Sequence, residues 1–132
     1  MARTILVIDD NPMVREVVQS MLEFRGYDVF PIEDGPQAIA HCLDHRADVA
    51  LVDVDMPRMD GVEVCRVLRR QAEALGRRLL IWLMTGVTRP ELVARARAAG
   101  AAGVLSKPFT TEELLARIES GCGELPQPGS AA

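Results

Sequence analysis

Nothing in this chain approaches the roughly 20 consecutive apolar residues that cross a bilayer, so no membrane span is expected. Cysteine is scarce. Cys42, Cys65 and Cys122 form an odd, scattered set, which excludes a disulfide framework and lacks metal-ligand spacing. Such thiols suit a reducing cytoplasm, where they are expected to be buried or incidental. Positive charge is not in excess: the net charge is −4, which removes the general electrostatic reason to bind nucleic acid. Met1-Ala2-Arg3 leads straight into an apolar run, so no secretory signal and a cytoplasmic location are expected. No internal repeat or low-complexity block is present. Gly100-Ala101-Ala102-Gly103 precedes a strand pattern instead of opening a helix, so it is not a phosphate-cradling loop. At 132 residues, one domain with a proper core is the natural reading.

What is present is a set of short apolar runs, each ending in polar chemistry. Ile5-Leu6-Val7-Ile8 delivers Asp9-Asp10, Ala50-Leu51-Val52 delivers Asp53, Leu79 to Met84 delivers Thr85-Gly86, and Val104-Leu105-Ser106 delivers Lys107-Pro108. Runs of this length read as strands buried on both faces, as in a parallel sheet. Ligands bind at the carboxyl ends of such strands. The four polar groups are therefore expected to converge on one edge of one sheet.

Helical patterns alternate with these strands. Asn11-Pro12 supplies an N-cap and a first-turn proline, and Met13, Val14, Val17, Val18 and Met21 are read as the inward face of the first helix, which ends at Gly26. Tyr27 to Ile32 reads as the second strand. Gly35-Pro36 opens a helix with Ala38, Ile39, Cys42 and Leu43 inward, and a third helix from about Gly61 buries Val64, Cys65 and Leu68. Thr88 to Glu91 and Thr110 to Glu113 both read as capping boxes. Leu114, Leu115 and Ile118 are the inward residues of the last helix. Trp82 and Met84 read as core, and His41 and His45 as a solvent-facing pair rather than a metal site.

Five strand-helix units with right-handed crossovers make an α/β, (βα)5 flavodoxin-like, doubly wound parallel five-stranded sheet. Its expected strand order is 2-1-3-4-5, with the switch point between strands 1 and 3, beside Asp9, Asp10 and Asp53. Residues 1–121 form the expected domain. Residues 122–132, rich in glycine and proline, read as a flexible tail or the start of a linker.

Asp9, Asp10, Asp53 and Asp55 set four carboxylates against the single ammonium of Lys107. Like charges at contact repel by several kcal/mol at an effective dielectric near 20. The remedies are raised pKa values or a bound cation, and oxygen ligands on loops favour a hard divalent ion.

In order and spacing, Ile-Leu-Val-Ile-Asp-Asp, Leu-Val-Asp-Val-Asp-Met-Pro-Arg-Met-Asp-Gly, Met-Thr-Gly and Ser-Lys-Pro-Phe resemble the receiver domain of bacterial two-component response regulators, over about residues 3–120. The resemblance implies that Asp53 is the phosphoacceptor, taking a phosphoryl group from a phosphohistidine on a sensor histidine kinase or phosphotransfer protein and relaying the signal by conformational change. Such a domain catalyses only its own phosphorylation and dephosphorylation. The resemblance further implies that Asp10, Asp53 and the backbone carbonyl of Asp55 ligate Mg²⁺, with Asp9 acting through water and Mn²⁺ able to substitute. Thr85 and Lys107 would bond the phosphoryl oxygens, and the Lys107-Pro108 bond would be cis. Output to an effector domain or protein would use the fourth-helix to fifth-helix face, and a homodimer is allowed.

Two departures fall on that output face. Val104 stands where relatives commonly carry Tyr or Phe, and Ala102-Gly103 stands where they often carry acids. Asp55 is an additional acid, read either as a group that tunes phosphoryl lifetime or as a plainly solvent-exposed residue. Asp53-Val54-Asp55 also resembles the nucleophile motif of haloacid-dehalogenase-like phosphatases, but that motif belongs on a first strand, whereas Asp9-Asp10 come first here. A degenerate receiver acting only as a binding module is a third reading, opposed by the full set of acids, Thr85 and Lys107.

Overall fold

The computed structural model describes residues 3–122. Five strands, β1 (Thr4–Ile8), β2 (Asp28–Ile32), β3 (Val49–Asp53), β4 (Leu80–Thr85) and β5 (Gly103–Ser106), alternate with α1 (Pro12–Glu23), α2 (Gly35–Asp44), α3 (Gly61–Ala74), α4 (Pro90–Ala98) and α5 (Thr111–Cys122). All strand pairs are parallel, in the order β2-β1-β3-β4-β5. The sheet is therefore the expected doubly wound one. Of the expected tail, Cys122 belongs to α5 and residues 123–132 lie outside the described residues.

Alternation along each strand divides the core in two. Leu6, Ile8, Ala50, Val52, Ile81 and Leu83 pack toward α2, α3 and α4. Ile5, Val7, Val49, Leu51, Leu80 and Met84 pack toward α1 and α5. Buried on both faces, β1 and β3 have no polar alternation to show, which is why they read as continuous apolar runs. Trp82 sits in the second layer directly over Gly103, where a Cβ would lie 2.6 Å from the indole.

Three helices depart from their sequence reading. In α1 the buried residues are Val18 and Leu22, while Met13 and Val17 are 73% and 51% exposed. The apolar stripe is wider than the strip the sheet covers. In α2, Leu43 is exposed for the same reason. The Thr88 capping box does not form. Helix α4 begins at Pro90, so Arg89 occupies the N-cap without a side-chain bond, and the Thr88 hydroxyl pairs instead with that of Ser106. The second capping box does form: Glu113 N–H donates to Thr110 Oγ1 at 3.0 Å, and Thr110 N–H donates to Glu113 Oε1 at 2.9 Å.

His41 is not simply solvent-facing. Its ring stacks on His45 at 4.5 Å and leans on Phe30 at 5.3 Å. Burial, then the charge of His45, holds its pKa below the usual value. Ring nitrogens lie in the ring planes, so two stacked imidazoles do not converge on a common metal.

Candidate functional site

The parallel register brings the strand ends level: Ile8 lies beside Val52, Asp53 beside Met84, and Thr85 beside Ser106. The residues leaving β1, β3, β4 and β5 therefore meet at one edge, as the sequence pattern implies. Asp9 is 1% exposed and Asp53 5%, whereas the adjacent Asp10 is exposed. Carboxylate oxygens of Asp9, Asp10 and Asp53 lie within 4.8 Å of one another. Three acids on this footing are hard oxygen donors that fit a divalent cation.

Lys107 holds the cluster from above. Its Nζ donates to Asp9 Oδ2 at 2.9 Å and to Asp53 Oδ1 at 3.0 Å, bridging β5 to β1 and β3. The Lys107-Pro108 bond is cis. Asp9 is further fixed by the Asn11 N–H, which donates to Oδ1 at 2.9 Å. Burial pushes the Asp53 carboxyl above its usual pKa, and the charge of Asp9 adds to this. The bond from Lys107 and the Asp55 backbone N–H oppose the rise without cancelling it. Burial also works against the Lys107 ammonium, but its bonds to Asp9 and Asp53 and their charges outweigh that cost and raise its pKa. The Asp53 shift is chiefly an effect of burial; the shortage of positive charge lies in the count, three carboxylates around one ammonium.

The loop after Asp53 owes its closeness to one glycine. Gly61 N–H donates to the Val54 carbonyl at 3.0 Å, and a Cβ on Gly61 would lie 2.3 Å from the Asp53 carbonyl oxygen. Only glycine lets α3 start this near the carboxylate strand. Arg58, in the same loop, adopts φ 72°, and its guanidinium reaches Asp34 at 3.7 Å.

Thr85 is 2% exposed, yet its hydroxyl serves its own loop, donating to the Val87 carbonyl at 3.1 Å and accepting from Val87 N–H at 3.2 Å. Asp55 is exposed and stands apart from the three-acid cluster. Val104 is half-buried against the α2–α4 layer. Sequence reasoning missed the groove beside the acids. Met13, Val14, Val17 and Met21 of α1 face Pro108 and Phe109 across a cleft of about 450 Å³ that reaches Lys107.

The response regulator receiver domain family matches residues 5–119. The chain belongs to this family. This receiver is 41% identical over 116 residues to the response regulator MprA of Mycobacterium sp. strain KMS, covering 88% of this chain and 49% of that protein. It is 40% identical over 113 residues to the sensor histidine kinase AruS of Pseudomonas aeruginosa, covering 86% of this chain and 11% of that protein. The receiver thus spans half or less of the length of these relatives. Among solved structures, it is similar to the receiver domain of sensor histidine kinase PA1611 from Pseudomonas aeruginosa, which has a magnesium ion coordinated in its active-site cleft. That match has a TM-score of 0.83 and 31% identity, and covers 94% of this chain and 100% of that one. Receivers are phosphoacceptor modules, and both the fold and the family expected from the sequence are those observed.

Proposed function

We propose that Asp53 accepts the phosphoryl group and that Asp10 and Asp53, with the Asp55 backbone carbonyl, hold Mg²⁺ or Mn²⁺, Asp9 acting through water. The observation that carries this reading is the Lys107 ammonium suspended between Asp9 and Asp53 beside a third carboxylate. An Asp53 carboxylate oxygen attacks the phosphorus of a phosphohistidine; the new O–P bond forms as the P–N bond breaks, and the imidazole leaves and takes a proton from water. The bound cation supplies charge neutralisation at the phosphoryl oxygens. Lys107, already aimed at Asp53, pairs with those oxygens, and Thr85 donates its hydroxyl to them. Water later attacks the acyl phosphate and resets Asp53.

The donor is a phosphohistidine on a sensor histidine kinase or phosphotransfer protein. A donor histidine must reach Asp53 from the open edge, and the exposed Met13 and Val17 beside that edge offer apolar surface to a docking partner. The output partner, an effector domain or protein, takes the α4–β5–α5 face, and the setting is cytoplasmic. No described helix is long and apolar enough to cross a membrane.

The test is incubation with acetyl phosphate and Mg²⁺ followed by mapping of the modified residue by mass spectrometry. A single +80 Da adduct on Asp53, absent from Asp53→Asn, is expected. Full labelling of Asp53→Asn would overturn the assignment. Val17→Glu should slow transfer from a phosphorylated kinase while leaving acetyl-phosphate labelling unchanged.

A further inference from the structure

We propose that Thr88 and Ser106 are positioning residues that restrain the phosphoryl site, their hydroxyl pair acting as a latch on the β4–α4 loop. The inference rests on the Asp53 reading above and adds to it a control that neither the motifs nor the family match assigns. Thr85 has one hydroxyl proton, and it is committed to the Val87 carbonyl. Phosphoryl oxygens only accept, so Thr85 can bond them only by withdrawing that proton from Val87. Residues 85–88 are tied to β5 at both ends. Lys107 N–H donates to the Thr85 carbonyl at 2.7 Å, and the Thr88 hydroxyl meets that of Ser106. Val87, between the two ties, is therefore held where it occupies Thr85.

The inner tie is backbone and joins the two strand ends. The outer tie consists of two side chains at exposed positions, so it can open without disturbing the core. Gly86 adds no obstruction, since a Cβ there would meet nothing within 4 Å. Val104 lies opposite Leu83, two residues inside the Thr85–Ser106 pair. Its short, χ1-restricted side chain offers little new contact to a rearranged loop. The bias between free and phosphorylated forms then falls on bonds at the loop itself, because an equilibrium shifts only through contacts that differ between its states.

The experiment uses the full chain with Mg²⁺ and beryllofluoride as the phosphoryl mimic. Thr88→Val and Ser106→Ala each delete the outer tie by a different route. Each should tighten beryllofluoride binding roughly threefold to tenfold, the range one modest hydrogen bond commands, with the melting temperature of the free protein nearly unchanged. Thr88→Ser and Ser106→Thr keep both hydroxyls and should restore parental affinity. In amide spectra of the free variants, residues 85–88 should move part-way toward their beryllofluoride-bound positions. Unchanged or weaker affinity in both deletion variants overturns the latch while leaving Asp53 as the acceptor. Failure of the parent to bind beryllofluoride overturns both readings together.

Discussion

The two ends of the same sheet spend their charges differently. At the amino edge, arginines finish the backbone. Arg69 donates to the Leu79 carbonyl at 2.7 Å and to the Gly100 carbonyl at 3.0 and 3.2 Å, and Arg77 donates to the Cys42 carbonyl at 2.7 Å. Gly100, at φ 98°, packs so tightly under Arg69 that a Cβ would lie 2.7 Å from its Cγ. At the carboxyl edge, three acids cluster around one ammonium that pairs with only two of them, Asp9 and Asp53, and Asp53 stays above its usual pKa. One edge pairs its cations with backbone carbonyls; the other keeps an electrostatic deficit that a cation and a phosphoryl group would each change. With Asp53 as the proposed acceptor, the groups that finish the backbone and the groups that would take part in transfer lie at opposite ends of the strands.

Lys107→Ala should break that separation most severely, because Lys107 alone serves both purposes. Asp9 and Asp53 would be left as buried, unpaired carboxylates, at a cost of about 3 kcal/mol. The acetyl-phosphate labelling rate should fall on the order of a hundredfold through loss of charge stabilisation. Chemical denaturation and timed mass spectrometry read the two effects separately. A stability loss with an unchanged labelling rate would reduce Lys107 to a structural strut.

Arg69→Ala is the converse. It removes three bonds to two carbonyls and should destabilise by ~2 kcal/mol, with Asp53 labelling within a factor of about two of the parent. Slower labelling in step with the stability loss would show that the edges are coupled through the strands.

The difference in legibility follows the same division. The carboxyl edge was readable because parallel strands end in register, so the residues after Ile8, Val52, Met84 and Ser106 had to meet. Periodicity also exposed the inward faces of α3 and α5. It could not say that Met13 and Val17 face outward, because an exposed apolar stripe has the same 3.6-residue period as one that faces the core. Arg69 and Arg77 were invisible because their partners are carbonyls, which carry no sequence signature. Thr88 misled for a related reason. Its spacing to Glu91 fits a capping box, but Pro90 starts the helix one residue too late and frees the hydroxyl for Ser106.

Asp10→Asn should sharpen the contrast on a smaller scale. Removing one carboxylate from the cluster relieves repulsion, so the metal-free protein should gain stability on the order of 1 kcal/mol, limited by solvent screening at this exposed residue. The stabilisation that millimolar Mg²⁺ confers on the parent should disappear. Thermal melts with Mg²⁺ and with chelator give both quantities. An Asp10→Asn protein still stabilised by Mg²⁺ to the parental extent would remove Asp10 from the metal site.

The smallest effect lies in the pH dependence, where two acids near the same edge act with opposite sign. Glu113 caps α5 through bonds with the Thr110 backbone and hydroxyl, which hold its pKa below the ordinary 4.5. Its contribution is present above 4.5 and is lost as pH falls through the lower folded value. Asp53 is raised above the ordinary 3.8, chiefly by burial. The folded state therefore binds its proton more tightly than the unfolded chain does, and acidification toward that raised value adds stability. Melting temperature measured from pH 7 downward, without divalent cations, contains both slopes. Glu113→Gln should flatten the decline below pH 4.5, and Asp53→Asn should remove the gain that precedes it. If Asp53→Asn leaves the upper part of the profile unchanged, Asp53 carries no charge deficit in the free protein, and the contrast between the two edges would then rest on geometry alone.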